Sequence, residues 1–279
     1  MTTLIAGCGY VGAPLARRLA ARGEPVLALR RSPTPIDAAG WIRTVAVDLT
    51  DAAATRDALV GRGIDRMVYL VSPDGRSDEA YERAYVTGLA NAIAALPVLR
   101  EAVLISSTGI YDDVQDGRWV DESTPTPGAG FAARRLIEGE QLLRRRVRFA
   151  SVLRLGGIYG PERTRMVSSV LDGTARRPQV ETFTNRIHRD DAARAAIHLF
   201  EAPSGTYVGV DHDQATLATV QEWVATRAGV PVPPPADEPS RRNTRKRCDG
   251  SKLRRSGFVF TYPTFREGYA PIVDALVGR

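Results

Sequence analysis

Three glycines near the start of the chain, in Gly7-Cys8-Gly9-Tyr10-Val11-Gly12, have the residue types and spacing of a phosphate-cradling turn. The apolar run Leu4-Ile5-Ala6 precedes them, and Leu15, Ala16, Leu19 and Ala20 follow at helical spacing. The turn therefore joins a strand to a helix. In that setting it offers a tight reversal, close approach of backbone to a pyrophosphate, and a helix N-terminus facing the phosphate charge. The chemistry implied is dinucleotide binding; an ordinary glycine-rich β-to-α turn is the alternative.

The next apolar run, Pro25 to Leu29, leads directly into Arg30, Arg31 and Ser32. An acidic residue at such a strand end accepts hydrogen bonds from an adenosine ribose, whereas arginine meets a 2′-phosphate. Two guanidiniums and no carboxylate favour NADP(H) through charge-assisted hydrogen bonds. A solvated strand end is the competing reading. Asp48 is placed either to contact the adenine amino group or to serve as a turn or N-cap aspartate.

Other reactive residue types are sparse. Cys8 and Cys248 lie far apart, without zinc or redox-pair spacing, so a disulfide framework is not expected. Asp121 and Glu122 precede a proline-rich turn and read as solvated rather than as an acid/base pair. The formal charge of +6 comes almost entirely from arginine, since Lys246 and Lys252 are the only lysines. The densest basic stretch, Arg241 to Arg247, has no interleaved aromatics and matches no nucleic-acid module. It reads as a solvated face or an anionic-substrate contact. Arg144 to Arg146 fit compensation of a helix dipole.

The elements that must hold these residues alternate along the chain. Thr44 to Val47, Met67 to Val71 and Val103 to Ile105 are short β-rich runs separated by helix-like or turn-like stretches, which implies a parallel sheet. Helices are predicted over 77–96, with Tyr81, Tyr85, Leu89 and Ile93 on one face, and over 131–145. Beyond Phe149 to Leu155 the pattern is irregular from Gly156 to Pro178; a helix over 190–200 and a strand over 206–210 return to the sheet. The five prolines between Val230 and Pro239 mark a linker or loop. The expected organisation is a nucleotide-binding domain over 1–160, rejoined near 182–212, with 161–279 mainly a small C-terminal substrate-binding lobe. A composition of 43% hydrophobic and 25% charged residues suits a core of this kind. No run approaches the roughly 18 apolar residues of a membrane helix, and the first apolar run stops at Gly7, unlike a signal peptide. No membrane partner and a cytoplasmic location are expected.

Taken together, GCGYVG at 7–12, ISSTGIY at 105–111, DESTPTP at 121–127, LRLGGIYGP at 153–161 and NRIHRDDAARAAI at 185–197 give the chain a resemblance to a known family. It resembles the extended and atypical short-chain dehydrogenase/reductases, closest to their epimerase/dehydratase branch, over almost its whole length. The resemblance implies a Rossmann-type, doubly wound α/β fold and proton chemistry by a serine or threonine, a tyrosine and a lysine. The serine falls on Ser107, with Thr108 beside it. The tyrosine and lysine fall on Phe131 and Arg135, and no other Y-x-x-x-K exists in the chain.

Phenylalanine carries no exchangeable proton, and losing a positioned acid or base typically sacrifices about 10²- to 10⁴-fold in rate. Arg135 can still supply charge and ribose hydrogen bonds. Tyr111, Tyr159 and His188 are the candidates to replace the acid. The expected coenzyme positions are Gly7, Gly9, Tyr10, Val11, Gly12, Arg30, Arg31, Ser32, Asp48, Leu49, Val71, Ser72 and Arg135. Two readings follow. One is an NADP(H)-dependent oxidoreductase or epimerase-like enzyme acting on a small polar or nucleotide-linked carbonyl or hydroxyl compound; the other is a catalytically silent NADP-binding sensor. A nucleic-acid-associated protein is the outlying third, and the resemblance implies that a homodimer is common.

Overall fold

The structure is a computed structural model that describes residues 2–32, 36, 40–111, 116–238 and 245–278. Of the basic stretch singled out in the sequence, Arg241 to Thr244 lie outside the described residues.

The N-terminal half alternates as expected. Strand β1 (Thr3–Ala6) is followed by α1 (Gly12–Ala20), β2 (Val26–Arg30), β3 (Ile42–Ala46), α2 (Ala52–Leu59) and β4 (Arg66–Tyr69). Then come α3 (Asp78–Glu82), a π-helical turn (Arg83–Thr87), α4 (Gly88–Ala94), β5 (Glu101–Ser107), a 3₁₀ turn (Thr108–Tyr111), β6 (Trp119–Val120), α5 (Phe131–Arg146) and β7 (Phe149–Leu155). The rest comprises β8 (Gly157–Tyr159), α6 (Arg165–Leu171), β9 (Arg186–His188), α7 (Arg189–His198), β10 (Thr206–Gly209), α8 (Leu217–Ala228), β11 (Arg247–Cys248), α9 (Ser251–Arg255) and α10 (Phe265–Val277).

Seven strands form one sheet in the order β10-β7-β5-β4-β1-β2-β3. The pairings from β3 through β2, β1 and β4 to β5 are parallel. This is the doubly wound, Rossmann-type α/β sheet predicted from the alternation. Its chain order reverses between β1 and β4, the topological position at which such sheets open a crevice beyond their strand ends.

Two compact units divide the chain: one of residues 1–110, 125–154 and 193–207, the other of 111–124, 155–192 and 208–279. The first has a core of sheet and helix residues including Leu4, Leu29, Met67, Tyr69, Leu89, Leu104 and Leu143. The second is built where α6, α8 and α10 bring Val167, Val170, Val220, Val224, Phe265 and Val273 together.

Three sequence expectations change. The helix predicted over 77–96 is broken by the π turn, for a reason that lies in β4. The buried Tyr69 hydroxyl donates to the Ala84 carbonyl at 2.6 Å, the oxygen that an α-helix would offer to Gly88 N–H. That N–H instead reaches back one residue further, to Arg83 O. Gly88 makes this possible, since a Cβ there would lie 2.7 Å from the Tyr69 hydroxyl. The segment expected to be irregular, 156–178, contains β8 and α6. Helices α8, α9 and α10 were not predicted, although Thr264 and Glu267 form a capping box and Thr216 caps α8. Pro271 inside α10 obscures its helical pattern.

Helix α5 approaches the π turn so closely that a Cβ at Gly139 would lie 2.5 Å from Tyr85 O. Gly139→Ala is therefore expected to lower unfolding free energy by about 1–3 kcal/mol through overpacking. Chemical denaturation showing no loss would mean that α5 does not sit at this distance.

Candidate functional site

The glycine turn assigns a separate task to each glycine. Gly7 leaves β1 at a φ of 96°, in the region that favours glycine. Its N–H and that of Cys8 donate to Leu29 O at 3.0 and 2.8 Å, and Gly9 N–H donates to Gly7 O at 2.8 Å. A Cβ at Gly7 would lie 2.8 Å from Leu70 C and O and from Val71 N, so any other residue would force β1 and β4 apart. At Gly12 a Cβ would stand 3.0 Å from Gly7 O and 3.2 Å from Leu70 Cδ1, which makes this the site of close helix packing. A Cβ at Gly9 meets nothing within 4 Å. That glycine is required by no neighbour in the fold, and its side is open. Behind it α1 begins with no side-chain cap and no acidic residue in its first turn, an end suited to an anion. Cys8 is buried among these groups, and burial pushes its thiol up to about 12.

The expected coenzyme positions of the first unit gather at the C-terminal ends of its strands. Arg30 ends β2, and Arg31 beyond it pairs with Asp74, which follows β4. Asp48 and Leu49 follow β3; Val71 and Ser72 follow β4. Asp48 is a turn aspartate: its Oδ1 accepts from Thr50 N–H at 2.9 Å and from Thr50 Oγ1 at 2.8 Å. Those two bonds, assisted by the Arg31 and Arg83 charges, hold its carboxyl below the usual range. The N-cap of α2 is Asp51. Asn91 fixes this loop by donating to Leu49 O and Thr50 O at 2.9 and 3.2 Å.

At the end of β5, Ser107 Oγ accepts from Gly109 N–H at 3.0 Å. Ser106 instead donates to buried Glu140 of α5 at 2.8 Å. Glu140 also receives two bonds from the buried Arg154 guanidinium, at 2.9 and 2.7 Å. This network ties α5 to β5 and β7 next to Ser107 and the buried Thr108. Phe131 opens α5, its ring edge-on to Tyr81 of α3 with centroids 5.5 Å apart. One turn on, Arg135 grips Asp78 of α3 through Nε at 2.6 Å and Nη2 at 3.3 Å, and Glu138 through Nη1 at 3.0 Å. These bonds raise its guanidinium further above the ordinary arginine range. Sequence reasoning missed Asp74, Asp78 and Glu140, and placed Tyr81 only on a helix face.

The sequence model described as the NAD dependent epimerase/dehydratase family matches residues 3–209. The chain belongs to this family. A solved structure classed as an NAD-dependent epimerase/dehydratase, from Methylobacillus flagellatus, is 32% identical, with 99% of this chain and 98% of that one covered at a TM-score of 0.83. A dTDP-4-dehydro-6-deoxy-D-allose reductase of Streptomyces bikiniensis is 27% identical over 72% of each chain. A UDP-glucose 4-epimerase from Thermus thermophilus, solved in complex with NAD, shares the fold at a TM-score of 0.82, with 22% identity and coverage of 100% and 99%.

The second unit of this epimerase/dehydratase family member holds the other candidate acids, each engaged in packing. Tyr111 is fully buried and donates to Asp121 O at 2.7 Å. Tyr159 stacks on Tyr269 with centroids 4.3 Å apart, and its hydroxyl reaches Thr264 O at 3.5 Å. Burial pushes its phenol far above the usual range. His188 is buried against Tyr262, centroids 3.7 Å apart, and its Nδ1 accepts from Asp190 N–H at 3.2 Å. Asp121 forms a turn with Ser123 and Thr124 as expected. Glu122 departs from the solvated reading: its carboxylate accepts from Val208 N–H at 2.6 Å, satisfying a strand donor, and burial raises it.

Asp211 is a buried carboxyl of that unit. It is fully buried, its Oδ1 accepts from Asp213 N–H at 3.1 Å, and its Oδ2 has no hydrogen-bond partner among the described residues. Burial outweighs the opposing Arg186 charge and pushes the carboxyl up to about 8. A folded-state value above the unfolded one of about 3.9 means that the fold holds a proton the unfolded chain has lost. Stability is therefore expected to fall as pH rises from about 4 to about 8. Asp211→Asn should flatten that decline in thermal melts across the range; an unchanged slope would show that another group causes it.

Proposed function

We propose that this chain binds NADP(H) at its glycine turn and acts as an oxidoreductase or epimerase on a small polar or nucleotide-linked carbonyl or hydroxyl compound. Residues 161–279 then serve mainly to bind that substrate. One observation carries the reading: Gly9, open on its Cβ side, sits between two glycines that the fold itself requires and in front of an uncapped helix. The residues present fit a dinucleotide. Gly7 and Gly12 shape the turn, Tyr10 and Val11 lead into α1, and Arg30, Arg31 and Ser32 stand where a 2′-phosphate would be met. Family membership supports the coenzyme class, as does the NAD complex of the Thermus epimerase. The Streptomyces reductase and that epimerase, both named for sugar-nucleotide chemistry, support the substrate class.

The bound nicotinamide would supply hydride transfer, which needs only correct placement beside the reacting carbon. Ser107, with Thr108 beside it, polarises the substrate oxygen. Three of the five N–H donors of Arg135 are engaged by Asp78 and Glu138, which hold the guanidinium in place while the remaining two serve the ribose. Tyr111 acts as an acid only after its hydroxyl leaves Asp121 O. A second reading, the silent NADP-binding sensor, is favoured by two facts: Phe131 has no exchangeable proton, and the Tyr111 and Tyr159 hydroxyls both point to backbone carbonyls.

Calorimetry is expected to show NADPH binding at least about tenfold tighter than NADH, with Arg30→Ala plus Arg31→Ala narrowing the gap, since a charge-assisted bidentate contact is worth that much. Equal affinities would remove the NADP(H) assignment. Gly9→Ala should leave the melting temperature unchanged yet weaken both coenzymes; retained binding would free the turn from its role. Turnover on UDP- and dTDP-linked sugars separates enzyme from sensor. Phe131→Tyr should raise it if the usual proton chemistry is impaired, and coenzyme oxidation by neither protein would favour the sensor.

A further inference from the structure

The ion pair between Arg31 and Asp74 joins two loops that the sheet keeps apart. Arg31 follows β2 and Asp74 follows β4, and in the strand order both flank β1. In register, Ala6 of β1 lies between Leu29 of β2 and Tyr69 of β4. Adjacent strands stand about 4.8 Å apart, so the pair links loops that leave strands about 10 Å from each other. The C-terminal end of β1 is where the chain enters the glycine turn at Gly7. The pair thus links the loops on either side of the strand that leads into the glycine turn. Both side chains are more than half exposed, at 64% and 52%. Asp48 adds a second carboxylate to the field at Arg31.

A guanidinium serves one bidentate partner well. A phosphate arriving at Arg31 therefore competes with the Asp74 carboxylate. We propose that Arg31 and Asp74 form a strap across the coenzyme seat, and that Asp74 sets coenzyme preference by competing with the 2′-phosphate for the Arg31 guanidinium. A coenzyme without that phosphate has no group with which to displace Asp74, so it binds with the strap in place. Asp74 thus restrains NADPH affinity and leaves NADH nearly untouched. This inference rests on the NADP(H) reading above.

The test is calorimetric titration of NADPH, NADH and 2′-AMP into four proteins: unmodified, Asp74→Asn, Arg31→Ala and the double variant. Exposed ion pairs are weak, so Asp74→Asn is expected to tighten NADPH and 2′-AMP by about 2- to 5-fold, with NADH unchanged within twofold. In the Arg31→Ala background the same substitution should give no gain. A gain that persists without Arg31 would assign the effect to plain repulsion between Asp74 and phosphate, overturning the strap. Unchanged or weaker NADPH binding in Asp74→Asn would overturn it too. If the unmodified protein binds neither coenzyme, the functional reading fails along with the strap; if it binds both and Asp74→Asn has no effect, the strap alone fails.

Discussion

The contact on which the rest depends is the approach of the first turn to the end of β4. A missing side chain at Gly7 lets β1 and β4 lie with main chain against main chain, and the same gap turns the chain toward α1. Gly12 repeats the device one turn later, drawing α1 onto the turn itself. With those two positions fixed by packing, Gly9 remains as a glycine for which the protein interior gives no reason. Its neighbours explain themselves through contacts within the fold, and the proposed coenzyme would supply the contact that Gly9 lacks.

A second constraint acts at the helices. Tyr69 takes the Ala84 carbonyl and so converts a turn of the α3–α4 run to π geometry, while Gly139 lets α5 rest against the Tyr85 carbonyl. Just before the π turn, α3 carries Asp78 and Tyr81 to Arg135 and Phe131. Phe131 and Arg135, one turn apart on α5, are both docked on this neighbouring helix. Phe131 is an aromatic contact and Arg135 a clamped cation. This face of α5 thus carries packing at one position and charge at the next turn.

Much of this was legible in the sequence because it is local. The strands of the main sheet through Leu155, with α1 and α5, follow from apolar runs and periodicity, and the glycine turn follows from spacing within six residues. The π turn was not legible, since it depends on a hydroxyl from β4 fifteen residues before the carbonyl it captures. Nor was the placement of Arg135, which lies 57 positions from its partner Asp78. Glu122 read as a solvated carboxylate because nothing nearby in the chain announces that it meets Val208 N–H. The C-terminal helices were missed for another reason: their caps are readable, but Pro271 and a short α9 break the expected pattern. The strand-end arginines were visible as charges, whereas the pairing of Arg31 with Asp74 became visible only when the strand order placed β2 and β4 on either side of β1.

The most direct measurement is a crystal structure of the protein grown with NADPH. The account predicts diphosphate oxygens against the Gly9 backbone and the first turn of α1, with the 2′-phosphate at Arg31. Density for the diphosphate elsewhere, or a coenzyme whose phosphates avoid that turn, would contradict it.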